Sequence, residues 1–438
     1  MTSDSSIMVI GGPNSFFPGP ILLRLDSNGD IIDSRENLFY WIQGRSGSLK
    51  STPDGNWLTV GHYSADYDNA AIFKFSPMLD SLQLALVNST ILYYPASVDV
   101  AADSSVWVFG QSVQPEDYYA MHFNNQLQLL DSVRYVTAQE EKTANGVVTL
   151  DGGYVISGER VLSASDWNIQ VIKVDAVGNV QWERSLGASW LDTGGFINQS
   201  SDSSYYVACG YRWPGIPHLR STLIHLNSAG DTLWHCMIPI NDSWLVTRPM
   251  ITATGQIVAA GRVSVNNQFL AQLVCADTSG MFKWARSFAT GTMIAQNFLD
   301  LLQHPDGGFV MVGNAFDSHG FVRPWVVKTD SMGCLVPGCD AVQGIMEQQT
   351  DLPGALSVSP NPSNGPLSVS IALPAGLITH GPWILTIVDA LGHIVLIEDI
   401  PSATTHYDLS LDEMRTGVYH LHLTAGAQWL AGASFVSE

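Results

Sequence analysis

Residues 202–210 read DSSYYVACG, a polar turn followed by an apolar strand that ends in glycine. The same phrase recurs along the chain, and its strands are Ile7–Gly11, Trp57–Gly61, Val106–Gly110, Tyr154–Gly158, Tyr205–Gly210, Ile257–Gly261 and Phe309–Gly313. Their terminal glycines are 50, 49, 48, 52, 51 and 52 residues apart. A repeat of about fifty residues built from short strands predicts a β-propeller with one four-stranded blade per repeat. We therefore expect an all-β chain that contains a seven-bladed β-propeller.

Each repeat continues with a third strand, a turn at Asp or Asn, and a fourth strand, most clearly in Gln170–Trp182, Ser221–Trp234 and Ala271–Trp284. The turn contains a glycine at positions 29, 178, 230, 280 and 333, which predicts a hairpin loop with positive φ. The second and third repeats lack this glycine, at Ser76–Leu79 and Asn124–Leu127. Innermost strands precede the polar turns, for example at Asn145–Thr149 and Asn297–Leu302, and are expected to line the axial channel.

Three tryptophans occupy matching places in the repeats, namely Trp182, Trp234 and Trp284. They are candidates for sugar stacking or for packing between blades. Packing is the preferred interpretation, because large aromatic side chains dominate such interfaces.

The first repeat begins too late to supply an innermost strand of its own. Residues 4–6 (DSS) recur at 103–105 and 202–204, so residue 4 is expected in the turn before a second strand. Met1–Ser6 has neither the basic region nor the apolar core of a signal peptide. We expect either a longer precursor, with a signal peptide and the missing strand, or a segment after the last repeat that fills the gap.

The charge composition indicates which classes of partner the protein can bind. The 438 residues include 19 Lys and Arg against 40 Asp and Glu, which gives a formal charge of −21. Such a surface repels phosphate backbones and anionic lipid, so no nucleic acid partner is expected. We interpret the acidity as an aid to solubility outside the cell rather than as a cation-binding surface. No apolar run of about 18 residues is present, so no membrane span is expected.

The fifty-residue repeat pattern ends at Cys339. Asp340–Gly354 shows no pattern and is expected to be a linker. Short apolar runs then follow at Leu367–Leu373, Trp383–Asp389, His393–Glu398, His406–Leu411, Gly417–Thr424 and Trp429–Val436. The predicted domains are a propeller over residues 1–339, a linker over 340–354, and an immunoglobulin-like β-sandwich over 355–438.

Four short motifs follow one another in this last domain: SVSPNPSNG (357–365), IVDALG (387–392), DLSL (408–411) and GVY (417–419). Their order and spacing resemble the type A C-terminal sorting domain of type IX secretion substrates, over residues 355–438. The positions that carry the resemblance are Pro360, Asn361, Pro362, Gly365, Asp389, Gly392, Gly417 and Tyr419. The chain departs from many relatives in ending with Phe435–Glu438, where they end in a basic residue.

The resemblance implies export through the type IX secretion machinery. Such proteins cross the inner membrane with a signal peptide, and the folded C-terminal domain directs passage across the outer membrane. The domain is generally cleaved, and the mature protein is released or attached to surface lipopolysaccharide, so the implied location is secreted or outer-membrane surface. We interpret the motif residues as determinants of the fold, with direct contact to the machinery as the alternative. Pro360 and Pro362 keep a strand from donating hydrogen bonds, and Tyr419 is expected to pack inward.

Motifs of common catalytic sites are missing: the sequence has no Gly-x-Ser-x-Gly, His-Glu-x-x-His or phosphate-binding glycine loop. The loop Asp66–Asn69 offers fewer ligands than the six to eight or so oxygens that calcium takes, so it is interpreted as an ordinary polar loop. His225 and His235 flank a hairpin, but strand alternation argues against a shared metal. The repeats are also distantly similar to quinoprotein blades, without matching quinone-binding residues. No catalytic residue, metal or cofactor is predicted.

Five cysteines are present. Cys334 and Cys339 enclose a Pro-Gly turn that brings their Cα atoms within reach of a disulfide, and this bridge is expected in an exported protein. Cys209, Cys236 and Cys275 lie in predicted strands and are expected to be buried.

The function predicted from the sequence is an exported, noncatalytic binding or adhesion module, at the cell surface or secreted, which takes an unknown extracellular ligand through loops at one end of the channel. The alternative is a secreted polysaccharide hydrolase or lyase whose acids lie in the propeller loops. A third interpretation is a purely structural component of a surface layer.

Overall fold

The computed structural model describes residues 6–11, 21–27, 29–36, 47–62, 69–88, 93–112, 116–187, 191–213, 215–216, 218–265, 268–290, 293–317, 319, 322–335, 349–352, 354–373, 379, 382–390, 394–410, 414–425 and 428–438. The secondary structure of this part of the chain consists of strands and turns, with no helix. The chain divides into two compact units, which are described separately. The first contains residues 1–261, 277–282 and 298–301, and the second contains residues 262–276, 283–297 and 302–438.

The first unit contains five antiparallel sheets in which strands pair in chain order. The first sheet has three strands: β1 (Ile7–Gly11), β2 (Ile21–Leu25) and β3 (Ile31–Glu36). The second has β4 (Leu49–Ser51), β5 (Trp57–His62), β6 (Asn69–Phe75) and β7 (Ser81–Asn88), and the third has β8 (Tyr93–Val100), β9 (Val106–Ser112), β10 (Tyr118–Phe123) and β11 (Leu129–Tyr135). The fourth has β12 (Glu140–Val148), β13 (Tyr154–Ser163), β14 (Asp166–Val174) and β15 (Val180–Leu186). The fifth has β16 (Thr193–Gln199), β17 (Tyr205–Tyr211), β18 (Arg220–Leu226) and β19 (Thr232–Met237).

Each of these sheets is the up-and-down meander expected for a propeller blade, and the predicted second strands are found as β1, β5, β9, β13 and β17. The core lies between successive sheets. Between the third and fourth, for example, Phe109 and Tyr118 pack with Tyr154 and Ile156. The repeated phrase therefore predicted the all-β fold correctly, while the count of seven blades stays a prediction.

In the third and sixth repeats, the glycine that ends the second strand permits a close backbone approach. A Cβ added to Gly110 would lie 2.1 Å from the carbonyl oxygen of Tyr94 on the preceding inner strand. A Cβ on Gly261 would lie 2.2 Å from the carbonyl oxygen of Trp244. Any side chain at these positions would push the inner strand away.

The turn glycines have the predicted backbone conformation: Gly29, Gly178, Gly230, Gly280 and Gly333 all have positive φ. In the second and third repeats the same place is taken by leucines with positive φ, Leu79 at 63° and Leu127 at 57°. Both leucines are buried, so the packing of their side chains offsets the cost of a conformation that a branched residue rarely adopts.

Polar side chains join the inner strands of the third to sixth repeats to one another. Ser97 of β8 accepts a hydrogen bond from the backbone N–H of Gly146 (3.0 Å), and Asp99 accepts one from the N–H of Val148 (3.0 Å). Similar bonds connect Leu150 with Gln199 and Asn198 with Pro249. These side chains satisfy backbone groups at the inner edges of sheets, where no strand pairs with them.

The inner strand of the sixth repeat is interrupted. Its parts are β20 (Ser243–Leu245) and β21 (Met250–Ile251), and it precedes β22 (Gln256–Val265). Between the two parts, Arg248 turns away from the sheet, donating from Nε to Asn145 Oδ1 (3.0 Å) and from Nη2 to the carbonyl oxygen of Gly146 (2.6 Å). The interruption thus places a cation beside the inner strand of the fourth repeat.

The remaining repeat strands are β23 (Gln268–Asp277), β24 (Phe282–Phe288), β25 (Ala295–Gln303), β26 (Phe309–Phe316) and β27 (Val322–Thr329). In the second unit, β26 pairs with β27, and β23 pairs in parallel with β25 at Phe269 and Ala295. The segment predicted as a patternless linker contains a short strand, β28 (Gln349–Asp351), which pairs in parallel with β24. This described part of the linker therefore extends the sixth repeat.

The C-terminal domain, also in the second unit, has two antiparallel sheets. One contains β29 (Leu356–Ser359), β30 (Leu367–Ile371) and β33 (His406–Leu409), and the other contains β31 (Trp383–Asp389), β32 (Ile394–Ile400), β34 (Gly417–Ala425) and β35 (Gln428–Ser437). Strands occur at all six predicted places. The domain is all-β as predicted, and its immunoglobulin-like character stays a prediction.

Candidate functional site

Three partly exposed aromatic rings cluster at the end of the fifth sheet. Tyr211 ends β17, Trp213 follows it, and His235 lies on β19. The ring centroids are 5.2 Å apart for Tyr211 and Trp213, 5.7 Å for Trp213 and His235, and 6.2 Å for Tyr211 and His235. Trp213 is fixed by a hydrogen bond from its Nε1 to Thr222 Oγ1 (3.2 Å). We call Tyr211, Trp213 and His235 the aromatic cluster.

Strand register explains why these rings meet. Tyr211 lies opposite Arg220, Thr222 lies opposite Met237, and Ile224 lies opposite His235. Side chains that are paired across strands share a face, and alternate residues of one strand do as well. The aromatic cluster and Arg220 therefore lie on one face of the fifth sheet.

Polar and charged side chains border the aromatic cluster. Arg220 donates two hydrogen bonds to Asn241 Oδ1, from Nε (3.1 Å) and from Nη2 (2.7 Å). His218 Nδ1 lies 3.1 Å from Asp242 Oδ2, and both of these side chains are about half exposed. A guanidinium, an amide and a carboxylate thus stand beside a partly exposed apolar surface.

The rings of the cluster are uncharged near neutral pH. Burial, with the nearby Asp192 and Cys209, raises the pKa of the Tyr211 phenol. Burial also lowers the pKa of His235 below its ordinary value of 6.5, which favours the neutral imidazole. The arrangement can stack a flat apolar ligand face and offer hydrogen-bond groups at its edge.

This site was not among the predicted residues. The sequence signal that marks it is Tyr-x-Trp directly after the glycine of β17, with a histidine on β19, the second strand after β17. Without the register, these residues could not be distinguished from core aromatics.

The tryptophans interpreted as packing residues do pack between repeats. Trp182 Nε1 donates to the carbonyl oxygen of Ser228 (3.1 Å) and Trp234 Nε1 to that of Thr278 (3.1 Å), each in the turn of the following repeat. In the second unit, the ring of Trp284 lies against Gly333. These contacts support the packing interpretation.

His225 and His235 lie on opposite faces of the fifth sheet, since His225 is opposite Trp234 and His235 is opposite Ile224. His225 stacks on Tyr206 with centroids 4.3 Å apart. Of the Asp66–Asn69 loop, residues 66–68 lie outside the described residues. Within the part of the chain that the structure describes, no three His, Cys, Asp or Glu side chains are grouped as metal ligands.

A recurring ion pair connects the first turn of several repeats with the third strand. Asp54 pairs with Lys74 at 2.5 Å, Asp151 with Lys173 at 2.8 Å, and Asp306 with Lys328 at 2.6 Å. Partial burial acts to raise the pKa of each carboxyl, but the ammonium group and neighbouring hydrogen bonds outweigh it and lower the pKa, to about 2 for Asp306. The matching residues of the sixth repeat are Thr254 and Cys275, so both partners are replaced together. The pair is part of the repeat framework.

A buried carboxylate occurs between the third and fourth sheets. Glu141 lies 3.2 Å from Arg160, which also contacts Glu183 at 2.7 Å. Burial raises the pKa of Glu141, against the opposing effects of Thr137 and Arg160. Its side chain has no exposed surface, so it cannot touch a substrate in this conformation.

The structure describes one of the two cysteines of the predicted disulfide. Cys334 is buried and disulfide-bonded, while Cys339 lies outside the described residues. The pairing of these two residues therefore stays a prediction. Cys209, Cys236 and Cys275 are buried free thiols, as expected.

The Pro-Asn-Pro motif is fixed to the last strand of the chain by the side chain between the prolines. Asn361 Nδ2 donates to the carbonyl oxygen of Ser434 (3.1 Å), and Asn361 Oδ1 accepts from the N–H of Val436 (2.9 Å). Both prolines lack an N–H, so the amide side chain replaces the backbone pairing that they prevent. Ser363 resumes backbone pairing, since its N–H donates to Val436 (2.9 Å).

The other motif residues have identifiable places. Asp389 ends β31 and Gly417 begins β34, whereas Gly392 lies outside the described residues. Tyr419 is 7% exposed, its ring stacks on Phe435 with centroids 5.8 Å apart, and its hydroxyl donates to the carbonyl oxygen of Arg415 (2.9 Å). Gly365 follows the motif, and its carbonyl oxygen faces Ser363 Oγ at 3.4 Å.

Comparison with known proteins identifies the family of the C-terminal domain. Residues 357–432 match the family model of the secretion system C-terminal sorting domain. The C-terminal domain is a secretion sorting domain. A domain of this family indicates export by the type IX secretion machinery, to the cell surface or to secretion. No curated protein matches the chain by sequence. None of the described residues forms a helix long and apolar enough to cross a membrane.

Several solved structures are similar to this chain at low sequence identity. An ulvan lyase of polysaccharide lyase family PL25 has a TM-score of 0.50 at 8% identity, over 76% of this chain and 92% of that one. PorZ, a surface component of the type IX secretion system of Porphyromonas gingivalis, has a TM-score of 0.44 at 10% identity, and the chain spans 58% of its length while being covered completely. The β-propeller domain of the Trilobed protease of Pyrococcus furiosus has a TM-score of 0.43 at 9% identity, over 74% of this chain and 91% of that one.

The sorting domain also contacts the end of the repeats inside the second unit. Trp429 of β35 is fully buried and packs against Cys334 and Met332. The backbone N–H of Leu352 donates to the carbonyl oxygen of Leu430 (3.1 Å), so the part of the predicted linker that follows β28 is attached to β35. The sorting signal is therefore packed on the repeat segment that carries the disulfide.

Proposed function

We propose that the protein is an exported, noncatalytic binding module whose aromatic cluster takes a glycan at the cell surface or outside the cell. The observation that carries the proposal is the partly exposed group of Tyr211, Trp213 and His235, bordered by Arg220 and Asn241. Binding sites for small organic ligands combine an apolar or aromatic surface with a few placed polar groups, and a sugar ring presents an apolar face with hydroxyl groups at its edge.

The net charge of the chain restricts the class of glycan that the site can bind. The formal charge of −21 disfavours polyanionic chains at long range, although Arg220 supplies a local cation. Since the cluster rings are neutral at pH 7, stacking does not depend on protonation. A neutral or weakly acidic glycan fits this surface best.

The test uses the purified full chain on a glycan array and against a panel of polysaccharides, with reducing-end release measured in parallel. Trp213→Ala is expected to weaken binding about tenfold or more, because it removes the central ring of the site. Leu130→Ala, which truncates an exposed apolar side chain of another repeat, serves as the control and is expected to bind normally. Equal binding by Trp213→Ala and the unchanged chain contradicts the proposed site, and turnover of any polysaccharide favours the enzymatic alternative.

A further inference from the structure

A cavity of about 360 Å³ opens between the second and third repeats, at the end of the sheets that carries their first turns. Its apolar wall is formed by Leu58, Val106 and Leu127. This cavity is separate from the aromatic cluster of the fifth repeat. Its volume is within the range of sites that bind small organic molecules.

The repeat pattern explains why the cavity is there. Trp182 lies opposite Lys173 in the fourth repeat, and Trp234 lies opposite His225 in the fifth. In the second repeat, the residue opposite Lys74 is Gln83. Gln83 therefore occupies the tryptophan position of the later repeats.

Gln83 preserves the hydrogen bond of the tryptophans but not their volume. Its Nε2 donates to the carbonyl oxygen of Gln126 in the next turn, as Trp182 Nε1 donates to Ser228. A glutamine side chain is much smaller than an indole ring, so the interface keeps its polar link and loses its filling. Leu127, which replaces the turn glycine, fills part of the space, and the cavity is what remains.

The lining of the cavity is mixed. Besides the two leucines and the valine, the lining includes the polar residues Ser104 and Asn125 and the ion pair of Lys74 and Asp54. The ion pair neutralises its own charges, so the cavity has no net attraction for an anion. Hydroxyl and amide groups in the same cavity as apolar side chains suit a small neutral molecule with several hydroxyl groups.

We propose that this cavity is a second binding site, which takes one neutral sugar residue, either free or at the end of a glycan. The apolar wall contacts the ring carbons, and Ser104 and Asn125 bond to hydroxyl groups. The site does not depend on the aromatic cluster, so either one can fail without the other.

The test is saturation-transfer NMR on the full chain with glucose, galactose, mannose, fucose and rhamnose, each in the millimolar range. In Gln83→Trp, an indole fills the cavity as in the later repeats, and the transfer signal is expected to fall about tenfold or more. Leu82→Trp adds an indole at an exposed neighbouring position and is expected to leave the signal unchanged. All of these variants are compared in a Trp213→Ala background, so that the aromatic cluster does not contribute to the transfer signal.

Asn125→Ala provides a second variant in case Gln83→Trp fails to fold, because Asn125 is exposed in its turn and its truncation leaves the core intact. It is expected to lower the signal without changing Tm. An unchanged signal in a folded Gln83→Trp overturns the proposal, as does the absence of transfer from all five sugars to the unchanged chain.

Discussion

The indole ring of Trp234 lies against Gly280, the turn glycine of the following repeat. A Cβ added to Gly280 would lie 2.6 Å from Trp234 Cδ2, and Gly280 has a φ of 84°. The same indole donates its N–H to the carbonyl oxygen of Thr278 (3.1 Å). One glycine therefore serves two purposes, since it permits the tight turn and leaves room for the neighbouring ring.

Gly280→Ala is expected to lower the free energy of unfolding by about 2–4 kcal/mol, from backbone strain and from overlap with Trp234. Gly178→Ala is the matched control. Gly178 has a φ of 92° and nothing within 4 Å of an added Cβ, so only the backbone cost of about 1–2 kcal/mol applies. Urea unfolding of both variants measures the difference. Equal losses would show that the ring contact is unimportant.

Ser203→Gly is expected to stabilise the first unit by about 0.5–1 kcal/mol. Ser203 has a φ of 67°, in the turn where the second, fourth, sixth and seventh repeats have Gly55, Gly152, Gly255 and Gly307. Glycine adopts this conformation without the strain that a side chain adds, although it gains entropy in the unfolded chain. The reverse change, Gly152→Ser, is expected to destabilise. A lower Tm for Ser203→Gly would contradict the prediction.

The Asp306–Lys328 pair is expected to make stability fall in acid. Partial burial acts to raise the pKa of Asp306, but Lys328 and the N–H of Gly308 outweigh it and lower the pKa from 3.8 to about 2. A lowered pKa in the folded state stabilises the protein above pH 4, and this contribution is lost as pH falls from about 4 to 2. Because both side chains are over a third exposed, the effect at neutral pH is at most about 1 kcal/mol.

Asp306→Asn is therefore expected to unfold more easily than the unchanged chain at pH 7 and about equally at pH 2. Unfolding followed by circular dichroism at several pH values measures this convergence. In a Lys328→Met background the same substitution is expected to have a smaller effect. A difference that stays constant from pH 7 to pH 2 would rule out the ion pair as its cause.

Asn361→Ala is expected to reduce export. It removes both bonds that attach the Pro-Asn-Pro segment to β35, at a cost of about 1–2 kcal/mol to the sorting domain. Asn364→Ala, an exposed residue of the same loop, is the control. The measurement is the fraction of the protein outside the cell in a host with type IX secretion. Normal export of Asn361→Ala with a lower Tm would separate folding of the motif from its recognition.

The Cys334–Cys339 bridge is expected to be present in the exported protein. Intact mass after alkylation without reductant should show three blocked thiols, those of Cys209, Cys236 and Cys275, when the chain is unfolded. Five blocked thiols would exclude the bridge.

Since Cys334 packs on Trp429, reduction is expected to loosen the sorting domain and expose that indole, which a red shift of tryptophan fluorescence would report.

Prediction from the sequence succeeded where one repeat could be compared with another. Seven copies of the strand and glycine phrase placed the second strands, and the turn glycines correctly predicted positive φ. Prediction from the sequence missed features in which one repeat differs from the others. Leu79 and Leu127 take the turn conformation without glycine, because burial of their side chains offsets the strain. The strand β28 was missed because its three residues pair with β24 through backbone groups, which leave no periodic pattern.

The sequence alone determined the all-β class, the repeat, and the sorting domain, since each depends on local residue order and spacing. Only the tertiary structure decided which aromatic residues are exposed together and where an interface is incompletely filled. Tyr211, Trp213 and His235 meet through pairing across three strands, and the cavity beside Gln83 depends on the volume of a side chain relative to the next repeat. Strand register and the packing between sheets determine these contacts, and neither can be derived from the order of residues alone.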